Sequence, residues 1–222
     1  MSEQPTVFVI DDDGPARDSV CLLVRSMGIR ALAFESAEEF LKGFDPDCAG
    51  CVITDVRMPG LSGVELQEVL LNQSIEIPVI VLTGYASTAL TVRAMKNRAV
   101  TLLDKPYQDN DLWVAVRSAL TRDATFRQQS IRVREIRERL NRLTSKEVSV
   151  LNLILKGRPN KLMAAELAVS ERTVENRRRE IFRKTESNSV AELVRLAIEA
   201  GWDEADEADE VRSTENAGGE SA

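Results

Sequence analysis

The chain contains no histidine. That absence excludes a histidine general base, a histidine metal ligand and a histidine phosphocarrier. Cysteine is scarce: Cys21, Cys48 and Cys51 are the three present, and an odd count builds no disulfide framework. Cys48 and Cys51 have C-x-x-C spacing, which admits two readings. One is a redox pair; the other is Cys51 as a small hydrophobe opening a buried strand, and no second pair supports a metal site. No run of about 18 apolar residues occurs, so no transmembrane helix and no membrane partner are expected. Met1-Ser2-Glu3-Gln4-Pro5 lacks a basic region followed by an apolar stretch, and a cytoplasmic location is the expectation.

What is present is a chain of 222 residues, 43% of them hydrophobic, enough for one large or two small domains. The net charge of −7 hides an uneven distribution. Residues 1–120 carry 17 acidic and 10 basic residues, residues 121–200 carry 11 and 18, and residues 201–222 carry 8 and 1. An acidic module, a basic module and an acidic tail are implied, and a basic module inside an acidic chain points to a polyanionic partner.

Apolar strands alternate with helical patterns up to residue 120. Thr6–Ile10, Arg30–Phe34, Cys51–Thr54, Val79–Leu82 and Val100–Leu103 read as strands. Between them lie helical stretches at Pro15–Met27, after Ser36, at Ser62–Leu71, at Ser87–Lys96 and from Asp109 onward. Ser36-Ala37-Glu38-Glu39 fits a capping box. Five such units predict an α/β doubly wound, five-stranded parallel sheet over residues 5–120. Residues 121–143 hold no glycine or proline and seven arginines. Phe126, Val133, Ile136, Leu140 and Leu143 fall on a seven-residue pattern. A helical linker over 121–139 is expected, and a coiled-coil seam is open beside a stripe resting on its own domain. Residues 140–202 read as a small all-α, four-helix module, opened by the capping box Thr144-Ser145-Lys146-Glu147. Residues 203–222 form an acidic tail with almost nothing to bury, expected to be disordered.

The strand ends carry the chemistry. Asp11-Asp12-Asp13, Asp55, Thr83-Gly84 and Lys105-Pro106 each follow an apolar strand, and open α/β sheets bind ligands at their carboxyl ends. Each residue alone is ordinarily just solvated; their joint occurrence is the signal. An ionised aspartate is a weak nucleophile, and attack on a phosphoryl group needs its charge neutralised. Mg2+ does this with oxygen ligands: Asp12 and Asp55 directly, Asp11 through water, and the Arg57 carbonyl. Lys105 and Thr83 are then placed to hold phosphoryl oxygens.

These residues, with Asp55-x-x-Met58-Pro59-x-x-x-Gly63, resemble the receiver domain of two-component response regulators. The resemblance implies Asp55 as phosphoacceptor, Asp11 and Asp12 as the magnesium pocket, Thr83 as switch hydroxyl, Lys105 as phosphate partner and a cis Lys105–Pro106 bond. It also implies a sensor histidine kinase as partner. Leu102 departs from the family, which often has an aromatic there that turns inward on activation; Tyr85 is a candidate substitute.

In the basic module, Lys161–Ala168 and Thr173–Lys184 flank the turn Val169-Ser170, the layout of a helix–turn–helix. On the second helix, Arg179 is placed to read guanine, Asn176 adenine and Glu175 cytosine, and Thr173 is a further candidate DNA contact. Lys161, Arg172, Arg178 and Arg183 suit phosphate contacts. A solvated basic helix is the plainer reading, outweighed by the module's charge and layout. Leu143-Thr144-Ser145-Lys146-Glu147, Leu167-Ala168-Val169-Ser170 and Arg172-Thr173-Val174-Glu175 resemble the LuxR-type domain, and the whole chain to residue 200 resembles the FixJ/NarL family. The resemblance implies a regulator that binds promoter DNA after Asp55 is phosphorylated, through dimerisation or release of the basic domain, with RNA polymerase a further candidate partner. Arg177-Arg178 stand where the family often has histidine. Two alternatives stand beside it: a constitutive or ligand-gated regulator, and a magnesium-dependent phosphohydrolase with Asp55 as nucleophile, for which no cap or second-step acid or base is visible. A competing role for Asp203–Glu210 at the basic helix is a further expectation.

Overall fold

A computed structural model describes residues 4–85 and 87–202. The chain divides into two compact units, with the division between Gln128 and Gln129.

In the first unit, five parallel strands run β1 (Thr6–Ile10), β2 (Arg30–Phe34), β3 (Gly50–Asp55), β4 (Val79–Thr83) and β5 (Thr101–Asp104), in the order β2-β1-β3-β4-β5. Helices α1 (Gly14–Ser26), α2 (Ala37–Gly43), α3 (Gly63–Asn72) and α4 (Thr88–Lys96) connect them, and α5 (Asp109–Leu140) follows β5. The doubly wound sheet matches the expectation from the strand–helix alternation.

Side-chain alternation along the strands explains why both faces are covered. Phe8, Ile10, Val52 and Val81 enter one core with residues of α2, α3 and α4. Val7, Val9, Cys51, Ile53, Ile80 and Leu82 enter the other, against α1 and α5. Phe8, Phe34, Phe40 and Phe44 pack edge-on or tilted in the first core, at centroid distances of 4.8–6.3 Å. Cys51 is fully buried, and burial pushes its thiol well above the ordinary value. A thiolate is the reactive species, so this placement favours the packing role over the redox pair.

Strand order sets the site. β1 and β3 are neighbours, while the connection from β1 runs first to β2 on the opposite side. This reversal opens a crevice at the carboxyl ends of β1 and β3. Register aligns Ile10 with Thr54, Asp55 with Leu82 and Thr83 with Asp104, so the four functional strand ends finish at one edge.

In the second unit, α6 (Ser145–Leu155), α7 (Asn160–Glu166), α8 (Glu171–Thr185) and α9 (Val190–Ala200) enclose one core. Val174 and Ile181, seven residues apart, supply the buried face of α8, as expected. Ser170 caps α8 by accepting the Thr173 N–H, and Ser189 caps α9 in the same way through Glu192.

Several expectations change. Helix α5 is continuous for 32 residues, as a helical linker requires. Its two ends nevertheless belong to different cores. Asp123 is buried and accepts the Gly50 N–H at 2.9 Å, while Arg127 pairs with Asp123 and donates to the carbonyls of Pro46, Asp47 and Cys48. Ile136, Leu140 and Leu143 are buried in the core of the second unit. The expected 121–139 linker thus overlaps both units, and three positions of the seven-residue stripe are already spent in packing. The Ser36 cap is also half of what was expected: Ser36 accepts the Glu39 N–H, but Glu39 returns to the Glu35 N–H rather than to that of Ser36. The acidic tail and its proposed competition for the basic helix lie outside the described residues.

Candidate functional site: an acidic pocket and a basic recognition helix

Asp11 and Asp55 are buried carboxylates at the ends of β1 and β3. Asp11 Oδ1 accepts the Asp13 N–H at 2.9 Å, and Arg17 donates to the Asp11 carbonyl at 2.6 Å. Asp55 Oδ2 accepts the Arg57 N–H at 2.6 Å. Their remaining oxygens share one cation: Lys105 Nζ lies 2.9 Å from Asp11 Oδ2 and 2.7 Å from Asp55 Oδ1. Burial disfavours the Lys105 ammonium, but hydrogen bonds and charge attraction from Asp55 and Asp11 outweigh it and hold its pKa above the ordinary value. Lys105 is itself fixed by its N–H on the Thr83 carbonyl at 2.7 Å, and the Lys105–Pro106 bond is cis.

Thr83 is buried at the end of β4, and its hydroxyl accepts the Tyr85 N–H at 3.1 Å. Tyr85 is 70% exposed, with the Arg57 guanidinium 5.2 Å from its ring centre. Leu102 is half-buried and packs on the α2–α3–α4 core. The aromatic at this edge therefore faces outward over Arg57, and an aliphatic side chain fills the inner position.

Asp12 is exposed beside the pocket. Among the described residues, no group of three or more His, Cys, Asp or Glu side chains is arranged to hold a metal ion. Of the two side chains expected as direct ligands, Asp55 is buried and Asp12 is exposed, while Asp11, expected to act through water, shares Lys105 with Asp55. The donor chemistry still fits a hard cation: two buried carboxylates that share one ammonium are within reach of a single cation, and every candidate ligand is oxygen.

On α8, Arg172, Glu175, Asn176, Arg179 and Arg183 are exposed, opposite Val174 and Ile181. Thr173 is half-buried, beside the Ser170 cap. Not all the cations are equally free. Arg183 is paired with Glu180 at 2.7 Å, and Arg178 lies 5.8 Å from the ring centre of Phe182. Arg179 reaches Asn176 Oδ1 at 3.4 Å. Lys161, on α7, is exposed. The turn into α8 places Ala168 at φ 51°, a left-handed position that usually falls to glycine.

Two groups were missed in the sequence. Arg17 reads as one more helix-surface arginine, yet it braces Asp11. Lys184 reads as part of the basic face, yet it donates to Glu147 at 2.6 Å and fastens α8 to the start of α6. Only the spacing of Thr144 and Glu147 hinted at the partner; Thr144 gives Glu147 both its N–H and its hydroxyl.

Comparison with known proteins agrees with this geometry. Residues 7–117 match the response regulator receiver domain, and residues 141–197 match the bacterial regulatory proteins of the luxR family. The chain is 40% identical to the transcriptional regulatory protein FixJ of Azorhizobium caulinodans over 94% of this chain and 99% of that one. It is 39% identical to nodulation protein W of Bradyrhizobium diazoefficiens over 90% of this chain and 88% of that one. Among solved structures, the response regulator StyR matches with a TM-score of 0.79 at 38% identity, over 88% of this chain and 98% of that one. Full-length FixJ from B. japonicum matches with a TM-score of 0.54 at 36% identity, over 90% and 98%.

The chain belongs to the FixJ-like response regulators. It is a two-component response regulator with a receiver domain and a LuxR-type DNA-binding domain, and the FixJ relatives support phosphorylation-dependent regulation of transcription. A receiver implies a sensor kinase as partner, and the LuxR-type domain implies DNA. Among the described residues, no helix of this response regulator is long and apolar enough to cross a membrane.

Proposed function

We propose that Asp55 accepts a phosphoryl group from a sensor histidine kinase and that the modified receiver promotes promoter binding by α8. The observation that carries this is the pair of contacts from Lys105 Nζ to Asp11 and Asp55 at the switch point of the sheet. Asp55 supplies the oxygen that forms the new bond to phosphorus, while the bond from phosphorus to the donor nitrogen breaks and the donor leaves with its electron pair. The chain has no histidine, so the donor imidazole belongs to the partner. Mg2+, when bound, neutralises the repulsion between carboxylate and phosphoryl oxygens. Asp11, Asp12, Asp55 and the Arg57 carbonyl would hold it. Lys105 keeps its charge and pairs with a phosphoryl oxygen, and Thr83 turns its hydroxyl to another at the expense of the Tyr85 N–H.

On DNA, the uneven freedom of the α8 side chains supports a division of labour. Arg179, Asn176 and Glu175 read base edges; Lys161, Arg172, Thr173, Arg178 and Arg183 meet the backbone, with Arg183 the weakest because Glu180 competes for it. A phosphorylated homodimer on two half-sites in the cytoplasm completes the reading, with RNA polymerase as the downstream partner.

Intact mass tests the modification: the full chain treated with acetyl phosphate and Mg2+ gains one phosphoryl group, and Asp55→Asn does not. An unchanged mass in the wild type would overturn the assignment. A second reading, a receiver that acts without phosphorylation, is favoured by Leu102 in the inner position. It predicts equal DNA affinity for wild type and Asp55→Asn with or without the phosphodonor.

A further inference from the structure

The motif Ser36-Ala37-Glu38-Glu39 places two glutamates side by side at the start of α2, and the structure gives them separate tasks. Glu39 turns back along its own helix, to the Glu35 N–H at 2.8 Å. Glu38 leaves it. Its Oε1 accepts the Leu61 N–H at 2.9 Å, across 23 positions of sequence. Leu61 belongs to the loop between β3 and α3, which begins directly after Asp55 and carries Arg57.

This loop has few anchors. Val56 and Met58 send their side chains into the core, and the Val56 N–H bonds to the Leu82 carbonyl. Among the described residues, two hydrogen bonds hold the backbone from Arg57 to Leu61: the Arg57 N–H on Asp55 and the Leu61 N–H on Glu38. The first sits at the reacting carboxylate; the second is the contact from another element. Gly60 fits the same arrangement. Its φ is 77°, and a Cβ there would stand 2.4 Å from Glu38 Oε1. A side chain at this position would be strained by the backbone and would push the Glu38 carboxylate aside. The hydrogen bond from the Leu61 N–H is also the chief cause that holds the Glu38 carboxyl below the usual carboxylate range.

We propose that Glu38 is a positioning residue for phosphoryl uptake, fixing the β3–α3 loop so that Arg57 presents its N–H and carbonyl at Asp55. The proposal rests on the reading of Asp55 as phosphoacceptor. Glu38 touches neither the phosphoryl group nor Asp55; it acts through the loop. A loop held at both ends spends less freedom in reaching the reactive geometry, so its loss lowers the saturating rate and leaves the half-saturating donor concentration unchanged.

The test uses the full chain with acetyl phosphate and Mg2+, following phosphoryl uptake by intact mass. Glu38→Ala is expected to slow the saturating rate by about fivefold, the equivalent of one typical net hydrogen bond. Glu38→Gln, which keeps an acceptor oxygen, restores most of it. Gly60→Ala displaces the same carboxylate without touching α2 and slows uptake similarly. Hydrogen exchange at the Leu61 amide quickens in Glu38→Ala. A Glu38→Ala rate equal to wild type, or a loss that Glu38→Gln does not rescue, overturns the proposal. Wild type that takes up no phosphoryl group overturns the phosphoacceptor reading itself, which separates the two failures.

Discussion

Lys184, near the end of the recognition helix, donates to the Glu147 carboxylate at the start of α6 at a distance of 2.6 Å. Burial pushes the Glu147 carboxyl up, but hydrogen bonds from Lys184 and Thr144 outweigh it and hold it below the usual carboxylate range. A depressed folded-state pKa stabilises the fold above the unfolded value, and the contribution is lost as pH falls through the folded one. The second unit should therefore lose stability as the pH falls through and below the ordinary carboxylate range. Glu147→Gln should cost about 2 kcal/mol at neutral pH and flatten that acid limb. Thermal melts followed by Trp202 fluorescence, in a Trp113→Phe background, would measure both.

Arg172 and Arg179 should fail in different ways. Arg179→Ala should cost about 1–3 kcal/mol at the true site and relax selectivity at one base pair. Arg172→Ala should weaken binding to all sequences and reduce the salt slope by about 1. Titrations against the promoter and a scrambled duplex at several salt concentrations separate the two. Equal losses on both duplexes for Arg179→Ala would remove it from base reading.

Thr83→Ala removes the hydroxyl that accepts the Tyr85 N–H but leaves the Asp55–Lys105 contact in place. Phosphoryl uptake should persist while the phosphorylation-dependent gain in DNA affinity is lost. Parallel mass and gel-shift measurements on one preparation check this. A variant that keeps its full gain would show that the hydroxyl is not the switch.

Ala168 carries a Cβ at φ 51°, where an L residue is strained. Ala168→Gly should stabilise the second unit by about 0.5–1 kcal/mol, because relief of strain exceeds the added chain entropy. A raised melting temperature by the same Trp202 signal is the expected result.

Much of this was legible because it lives in local pattern. Asp11, Asp55, Thr83 and Lys105 each close an apolar run, and parallel register alone brings such ends together. Val174 and Ile181 revealed the buried face of α8 by spacing. The illegible parts depend on contacts far along the chain. Asp123 and Arg127 looked like linker because nothing near them in sequence predicts their bonds to residues 46–50. Ile136 and Leu140 suggested a seam because a heptad stripe looks the same whether a partner chain or its own domain covers it. Glu38 and Glu39 looked like one capping signal, since sequence spacing does not say which carboxylate turns outward. Asp12 reads like Asp11, but only Asp11 is drawn beneath the surface by Lys105 and Arg17.

The central claim is that modification of Asp55 controls DNA binding by a helix in the other unit. Its most direct test is the affinity of full-length wild type and Asp55→Asn for promoter DNA, each with and without acetyl phosphate and Mg2+. The account predicts that the phosphodonor tightens binding by the wild type and changes nothing for Asp55→Asn. Equal affinities in all four conditions would contradict it.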